Sequence, residues 1–308
     1  GVYTSDDIDV NWQFGFSDQQ YGANTFYSAK YNNQYEKTRR YITSVQAQTK
    51  GWFVLTPTLY WNRSHDNFQL IKDSPKGENF HMTDVYGANL NAHFTTVLGK
   101  TAFGAEVRNE GILSTNLGKL LEEDQKVKVP GEKDKYFDKK DNRTNVSYYL
   151  EHNILLQNFT ASFGVMANMN TALDHKYRFY PGIDLSYRPS IHWKAFVSWN
   201  KALRMPTFTD LYYKSPTQEG NIGLKPEETQ AYTLGLQYQN NVIKTELSGF
   251  YHKGKQMIDW VMYDAEDVYH SANFKLDNRG FETNTVINTE AWLGKSSWIK
   301  QIQVGYSY

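Results

Sequence analysis

Three groups of residues have types and spacings that could do chemistry. Asp264, Glu266, Asp267 and His270 place oxygen donors close together on one polar stretch. Calcium takes six to eight oxygen ligands, so a Ca²⁺ site is one reading. The spacing lacks the Gly and bidentate Glu of an EF-hand loop, and a solvated acidic loop is the simpler account. His65, Asp66 and His81 could bind a transition metal, but nothing in their spacing sets a geometry. No metal site is expected from either group. Tyr27, Tyr31, Tyr35 and Tyr41 could stack on a flat ligand such as a corrin or a sugar, or could anchor or pack a loop. No G-x-S-x-G, H-E-x-x-H, Walker or G-x-G-x-x-G motif occurs, so no catalytic residue and no cofactor is expected. Acid–base pairs assembled from distant strands, with Asp6, Asp7 and the loop histidines as candidates, define the enzyme alternative.

The elements that would position these residues are strands. In 84–98, one face carries Tyr86, Ala88, Leu90, Ala92, Phe94 and Leu98, and the other Gly87, Asn89, Asn91, His93 and Thr95. The same two-residue period recurs in 101–107, 159–169, 232–238 and 243–251. Successive strand side chains point to opposite faces, so each segment has an apolar and a polar side. The segments run roughly 10–15 residues, nearer the length a membrane strand needs than that of a soluble one. Short links at 49–51, 98–100, 156–158, 188–190, 240–241 and 294–297 alternate with long polar ones at 63–83, 115–141, 170–176, 202–228 and 262–277. Membrane barrels alternate short turns and long loops in this way. Asn240-Asn241 is expected to turn through the positive φ that Asn tolerates. The mixed charges of 115–141 predict a solvated loop.

Composition agrees. The chain has 308 residues, 16% aromatic, 21% charged, no Cys and a formal net charge of +0. Mean hydropathy is −0.67, and no apolar run approaches the roughly 18 residues of a membrane helix. Zero net charge argues against a nucleic-acid partner, and the lack of Cys excludes disulfides and thiolate metal sites. Trp12, Trp52, Trp61, Trp193, Trp199, Tyr187 and Tyr238 fall near segment ends, as interfacial girdles would require.

The most specific stretch is Lys201-Ala202-Leu203-Arg204-Met205-Pro206-Thr207-Phe208-Thr209-Asp210-Leu211-Tyr212, followed by Gly220-Asn221-Ile222-Gly223-Leu224-Lys225-Pro226-Glu227. Pro206 should end a ladder, Phe208 and Leu211 give the loop its own small core, and Arg204 and Asp210 could pair. Lys225-Pro226-Glu227 reads as a re-entry turn. This pair of motifs resembles the barrel of TonB-dependent outer-membrane receptors, with Met205 in place of Ala and Ile222 in place of the first Pro. Asn278-Arg279-Gly280-Phe281-Glu282-Thr283 is a weaker echo. Phe14-Gly15-Phe16 through Gly22-Ala23-Asn24-Thr25 is similar to the early strands of cobalamin-type receptors. The resemblance covers the whole chain in style and residues 202–229 in motif.

The resemblance implies an all-β, antiparallel transmembrane β-barrel, with residues 1–308 a single barrel fragment of about 13 strands from about 22. The N-terminal plug domain is expected to lie outside this chain. It implies TonB-dependent import of a scarce nutrient such as cobalamin or a ferric siderophore across the outer membrane. The partners would be the plug in the lumen, the TonB complex acting through it, outer-membrane lipid, and a small-molecule or metal-chelate ligand. Arg204, Pro206, Thr207, Phe208, Leu211, Leu224, Lys225, Pro226 and Glu227 are expected to be structural. Tyr27, Tyr31, Tyr35, Arg204 and Phe208 are the ligand-contact candidates. A soluble or surface β-structured adhesion protein, an outer-membrane barrel enzyme, and a carbohydrate or peptide importer are the alternatives.

Overall fold

A computed structural model describes residues 1–27, 29–264 and 268–308. The chain runs up and down through β1 (Val2–Thr4), β2 (Ile8–Asn24), β3 (Gln34–Thr49), β4 (Phe53–Gln69), β5 (Glu78–Thr96), β6 (Gly99–Ser114) and β7 (Lys139–Leu155). It continues through β8 (Phe159–Asn170), β9 (Arg178–Tyr187), β10 (Trp193–Arg204), β11 (Glu227–Gln239), β12 (Ile243–Val261), β13 (Tyr269–Asn288) and β14 (Gln301–Ser307). Each strand pairs antiparallel with the next, from β1 to β14. The short β1 is an addition to the expected strands.

Many strands are longer than the alternation suggested. The 63–83 link is mostly strand, because β4 and β5 keep pairing as far as Gln69 and Glu78. Polar residues there satisfy the ladder through their backbones, and periodicity of hydrophobicity cannot report that. The connection after β13 spans residues 289–300 rather than 294–297. Asn288 caps the short helix α2 (Thr289–Leu293) by accepting from the Ala291 amide.

The burial pattern is inverted relative to a soluble sheet. Phe14 is 72% and Leu234 64% exposed, whereas Thr38 is 3% and Ser114 0% exposed. A compact monomer of this mass would expose roughly 13,000 Å²; this wall exposes 19439 Å². The apolar stripes of neighbouring strands line up in register, as in Trp199–Tyr232–Tyr251 and Val197–Leu234–Gly249. The opposite face is polar, and its side chains bond one another: Tyr60 Oη donates to Glu106 at 2.8 Å and Tyr149 Oη to Asn91 at 3.1 Å.

Aromatics gather in two rows on the apolar face. Near the short turns, Trp52 meets Phe94 at 6.0 Å and Trp193 meets Tyr238 at 4.8 Å. Toward the long loops, Phe16 meets Tyr41 at 5.2 Å and Tyr232 meets Tyr251 at 6.1 Å.

The turn at 240–243 uses different chemistry from that expected. Neither Asn240 nor Asn241 is among the residues with positive φ. Instead, Asn240 Oδ1 accepts from the Val242 and Ile243 amides at 2.9 and 2.8 Å, a side-chain turn. The charged 115–138 connection is also more ordered than its composition suggested. Val127–Lys128 pairs with Tyr136–Phe137, and Val129 and Phe137 bury themselves against Phe80, Met82 and Leu113.

Candidate functional site

The long loops meet at one end of the wall, and the 205–226 loop is anchored there at several points. Pro206 stops the β10 ladder because it has no amide hydrogen to give. Thr207 then caps α1 (Phe208–Tyr212). Its hydroxyl accepts from the Asp210 amide at 3.0 Å, and Asp210 Oδ2 accepts from the Thr207 amide at 2.9 Å. This reciprocal pair satisfies two donors that a helix start leaves open. Gly220 is required by packing: a Cβ there would lie 2.9 Å from the Leu211 carbonyl carbon and the Tyr212 and Tyr213 nitrogens.

Two arginines pin the loop. Arg204 lies directly across from Glu227 and holds it with both prongs, Nε–Oε2 at 2.6 Å and Nη2–Oε1 at 2.5 Å. Glu227 also accepts from the Ile258 amide at 2.7 Å. Asp210 is farther from Arg204, at 3.7 Å. Glu227, at the long-loop tip of β11 and beyond the aromatic row, is held below the usual carboxylate range, chiefly by the Arg204 hydrogen bond.

Arg143 comes from β7. Its Nη1 donates to the Pro206 carbonyl at 2.5 Å, its Nε and Nη2 reach Glu110 at 2.7 and 2.6 Å, and its guanidinium lies 4.9 Å from the Phe208 ring centre. Arg108 also contacts Glu110. Charge-assisted, two-pronged bonds of this kind are about twice as strong as neutral ones.

Further bonds come from residues distant in sequence. Tyr212 Oη donates to Asp141 at 2.7 Å; burial first, then this bond, push the phenol well above its ordinary range. Ser271 Oγ donates to the Asp210 carbonyl at 2.6 Å. Asn116 donates to the Lys214 carbonyl and accepts from its amide, at 2.8 and 3.1 Å. Asn273 makes the same two-way clamp on Lys225, at 3.0 and 2.8 Å. Leu224 is buried beneath this turn. Sequence reasoning missed Arg143, Glu110, Asp141, Asn116, Ser271 and Asn273, because no local spacing links them to the motif.

Between this loop, the segment after β6 and the start of β13 lies a recess of about 750 Å³. Asn116, Lys139, Tyr212, Lys214, Tyr263 and His270 line it. Both charge signs are present, since Glu219 contacts Lys214 at 2.8 Å.

The tyrosine candidates do not form one platform. Tyr27 donates to Glu36 at 2.7 Å and packs edge-on against Phe68. Burial and then that bond raise its pKa. Tyr35 precedes Glu36 on β3 and so faces the other way, donating to Gln20 at 3.2 Å beneath Lys72. Tyr31 sits in the 25–33 loop, half-buried. Arg204 and Phe208 are engaged by Glu227 and Arg143. Asp66 lies opposite His81 while His65 lies opposite Met82, which puts His65 on the other face from the remaining pair. Glu266 and Asp267 lie outside the described residues.

An antiparallel meander with one exposed apolar face, two aromatic rows and loops gathered at one end defines a β-barrel type of wall. The chain belongs to the TonB-dependent receptor family: the family model "TonB dependent receptor-like, beta-barrel" matches residues 1–308. One relative, the vitamin B12 transporter BtuB of Vibrio vulnificus, is 30% identical over 78 residues, covering 25% of this chain and 12% of that protein. Among solved structures, the siderophore receptor PirA of Pseudomonas aeruginosa superposes with a TM-score of 0.72 at 13% identity, over 100% of this chain and 54% of that one. The ferric enterobactin receptor PfeA from the same organism gives 0.73 at 15% identity, over 99% and 50%. At such identities the likeness concerns the fold. The chain spans about half the length of these solved receptors.

Proposed function

We propose that this chain is part of the wall of an outer-membrane importer that takes up a scarce nutrient with energy delivered by TonB. The carrying observation is the inverted burial: apolar side chains exposed in register, polar ones covered. A soluble adhesion sheet would bury the face that is bare here. The family match over the whole chain supports the same reading. The apolar face meets lipid and the polar face lines the lumen, within a barrel of about 22 strands. A plug domain elsewhere in the full protein fills that lumen and passes the pull of TonB to the ligand path. Because the solved receptors are about twice as long as this chain, there is room for those parts.

In this reading the anchored 205–226 loop is a fixed rim, and the recess beside it is a place for ligand to dock. Arg204, Phe208, Leu224, Lys225, Pro226 and Glu227 hold the rim rather than the ligand, and Tyr212, Tyr263 and His270 are better placed to touch it. The wall performs no chemistry. The nutrient is cobalamin or a ferric siderophore. The cobalamin reading draws on the BtuB relative, and the siderophore reading on the solved receptors. The test is uptake in cells lacking the receptor and carrying its full-length gene, offered labelled cobalamin or a ferric siderophore with and without TonB. TonB-dependent accumulation of either supports the proposal. Uptake that is the same without TonB would sink it.

A further inference from the structure

On the apolar face, the belt gives way to charged side chains beyond the Phe16–Tyr41 and Tyr232–Tyr251 row. The two ends of the wall handle these charges differently. On β2 to β5, both arginines are answered within the protein, Arg39 by Asp18 at 2.7 Å and Arg63 by Asp84 at 2.8 Å, and the single Lys37 lies 6.0 Å from the Tyr35 ring centre. On β12 and β13, the cations are not so answered. Lys253, Lys255 and Lys275 share this face in the rungs beyond Tyr251, and Arg279 shares it directly opposite Tyr251. Glu228, opposite Lys255, is taken by Lys201 at 3.2 Å. Asp277, opposite Lys253, accepts instead from Tyr251 Oη at 3.0 Å. Among the described residues, none of the four cations has an ion pair within 4.0 Å.

The register gathers the four around Asp277, which lies opposite Lys253 and between Lys275 and Arg279 on β13. Same-face neighbours along a strand are about 7 Å apart and cross-strand partners about 5 Å. A two-residue bulge in β12, between Gly254 and Met257, sets Lys255 beside Lys275. Four cations around the single carboxylate of Asp277 leave an excess of positive charge that a further counter-charge would offset. On a membrane wall, this height is where headgroups lie. Headgroup phosphate offers negative oxygens that accept from several ammonium or guanidinium donors at once.

We propose that the β12–β13 patch binds lipid headgroups that bear phosphate and a net negative charge, in the leaflet at the long-loop end. This rests on the membrane reading above. The test uses the full-length receptor, purified in a non-ionic detergent, stripped of lipid and titrated with phosphatidylglycerol or phosphatidylcholine. Native mass spectrometry counts the lipids retained. The native protein should retain the anionic lipid selectively. The variant K253Q/K255Q/K275Q/R279Q should lose that selectivity, each neutralised cation weakening retention about fivefold. R39Q, on the ion-paired end of the wall, should keep it. Heat-modifiable electrophoretic mobility reports that the barrel is intact; if the fourfold variant does not fold, K253Q/K255Q carries the test, with about half the effect on a logarithmic scale.

Equal retention of both lipids by the native protein, or unchanged selectivity in the variants, would overturn the patch. A receptor that sits in outer membranes and imports its nutrient yet shows no lipid selectivity defeats the patch alone. One absent from outer membranes defeats the membrane reading as well.

Discussion

The 205–226 loop and the 115–138 connection rise from the same end of the wall but are held by different physics. The first is fixed by directional polar bonds to Arg143, Arg204, Asn116 and Asn273. The second is charged along most of its length; Asn116 at its start shares the bonds to Lys214, but its middle is fixed by the apolar contact of Val129 and Phe137 with Phe80 and by the Lys135–Glu78 ion pair at 3.1 Å. Loop composition therefore does not tell how a loop is held. The polar loop depends on a few bonds whose partners are desolvated, and losing one leaves a stranded charge. The middle of the charged connection depends chiefly on buried area.

The contrast can be broken first at Arg143. Arg143→Ala should leave Glu110 half-buried beside Arg108 alone and free the Pro206 carbonyl. Removing one partner of a buried pair typically costs about 3–5 kcal/mol, read here as faster amide exchange through α1. Unchanged exchange would mean that the loop is held elsewhere. Phe137→Ala should cost about 3 kcal/mol at the other anchor. It should speed exchange around Val127–Lys128 and Tyr136–Phe137 while leaving α1 untouched. Exchange rising in both places would show that the two regions are one unit.

Thr207→Ala removes the α1 cap and should cost about 1 kcal/mol, confined to the 205–212 amides. Acid sharpens the comparison further. Because Glu227 is depressed in the folded state, its contribution is present above the ordinary glutamate range and fades as the pH falls through the folded value. Proteolysis within 205–226 should therefore rise on acidification, and Glu227→Gln should remove that dependence. The smallest effect is expected for Lys133→Ala on the exposed part of the charged connection, within about 0.5 kcal/mol. Thermal or exchange measurements that move with it would contradict the apolar anchor.

These contrasts also show what the sequence could carry. The strand alternation was legible because the period of two is a property of neighbouring residues: Leu234 and Leu236 declare their face without help from any distant contact. Pro206 was legible for the same reason. The Arg143–Pro206 and Asn116–Lys214 bonds were not, since they join strands and loops far apart in the chain. Tyr27 and Tyr35 looked like one aromatic surface until their opposite faces on the wall separated them. Strand ends such as those of β4 and β5 were hidden because their polar side chains give no periodic signal, although their backbones still pair.

The account stands on which face of the wall meets lipid. The chain has no Cys, so single cysteines report cleanly. Spin labels at Leu90→Cys, Leu234→Cys and Leu247→Cys, and at Asn89→Cys, Gln237→Cys and Glu246→Cys, would be read in outer-membrane vesicles for collision with oxygen and with a water-soluble nickel chelate. The account predicts oxygen-dominated collision at the three leucine positions and its absence at the three polar ones. Leucine-position labels that collide with the nickel chelate as freely as the polar ones would contradict it.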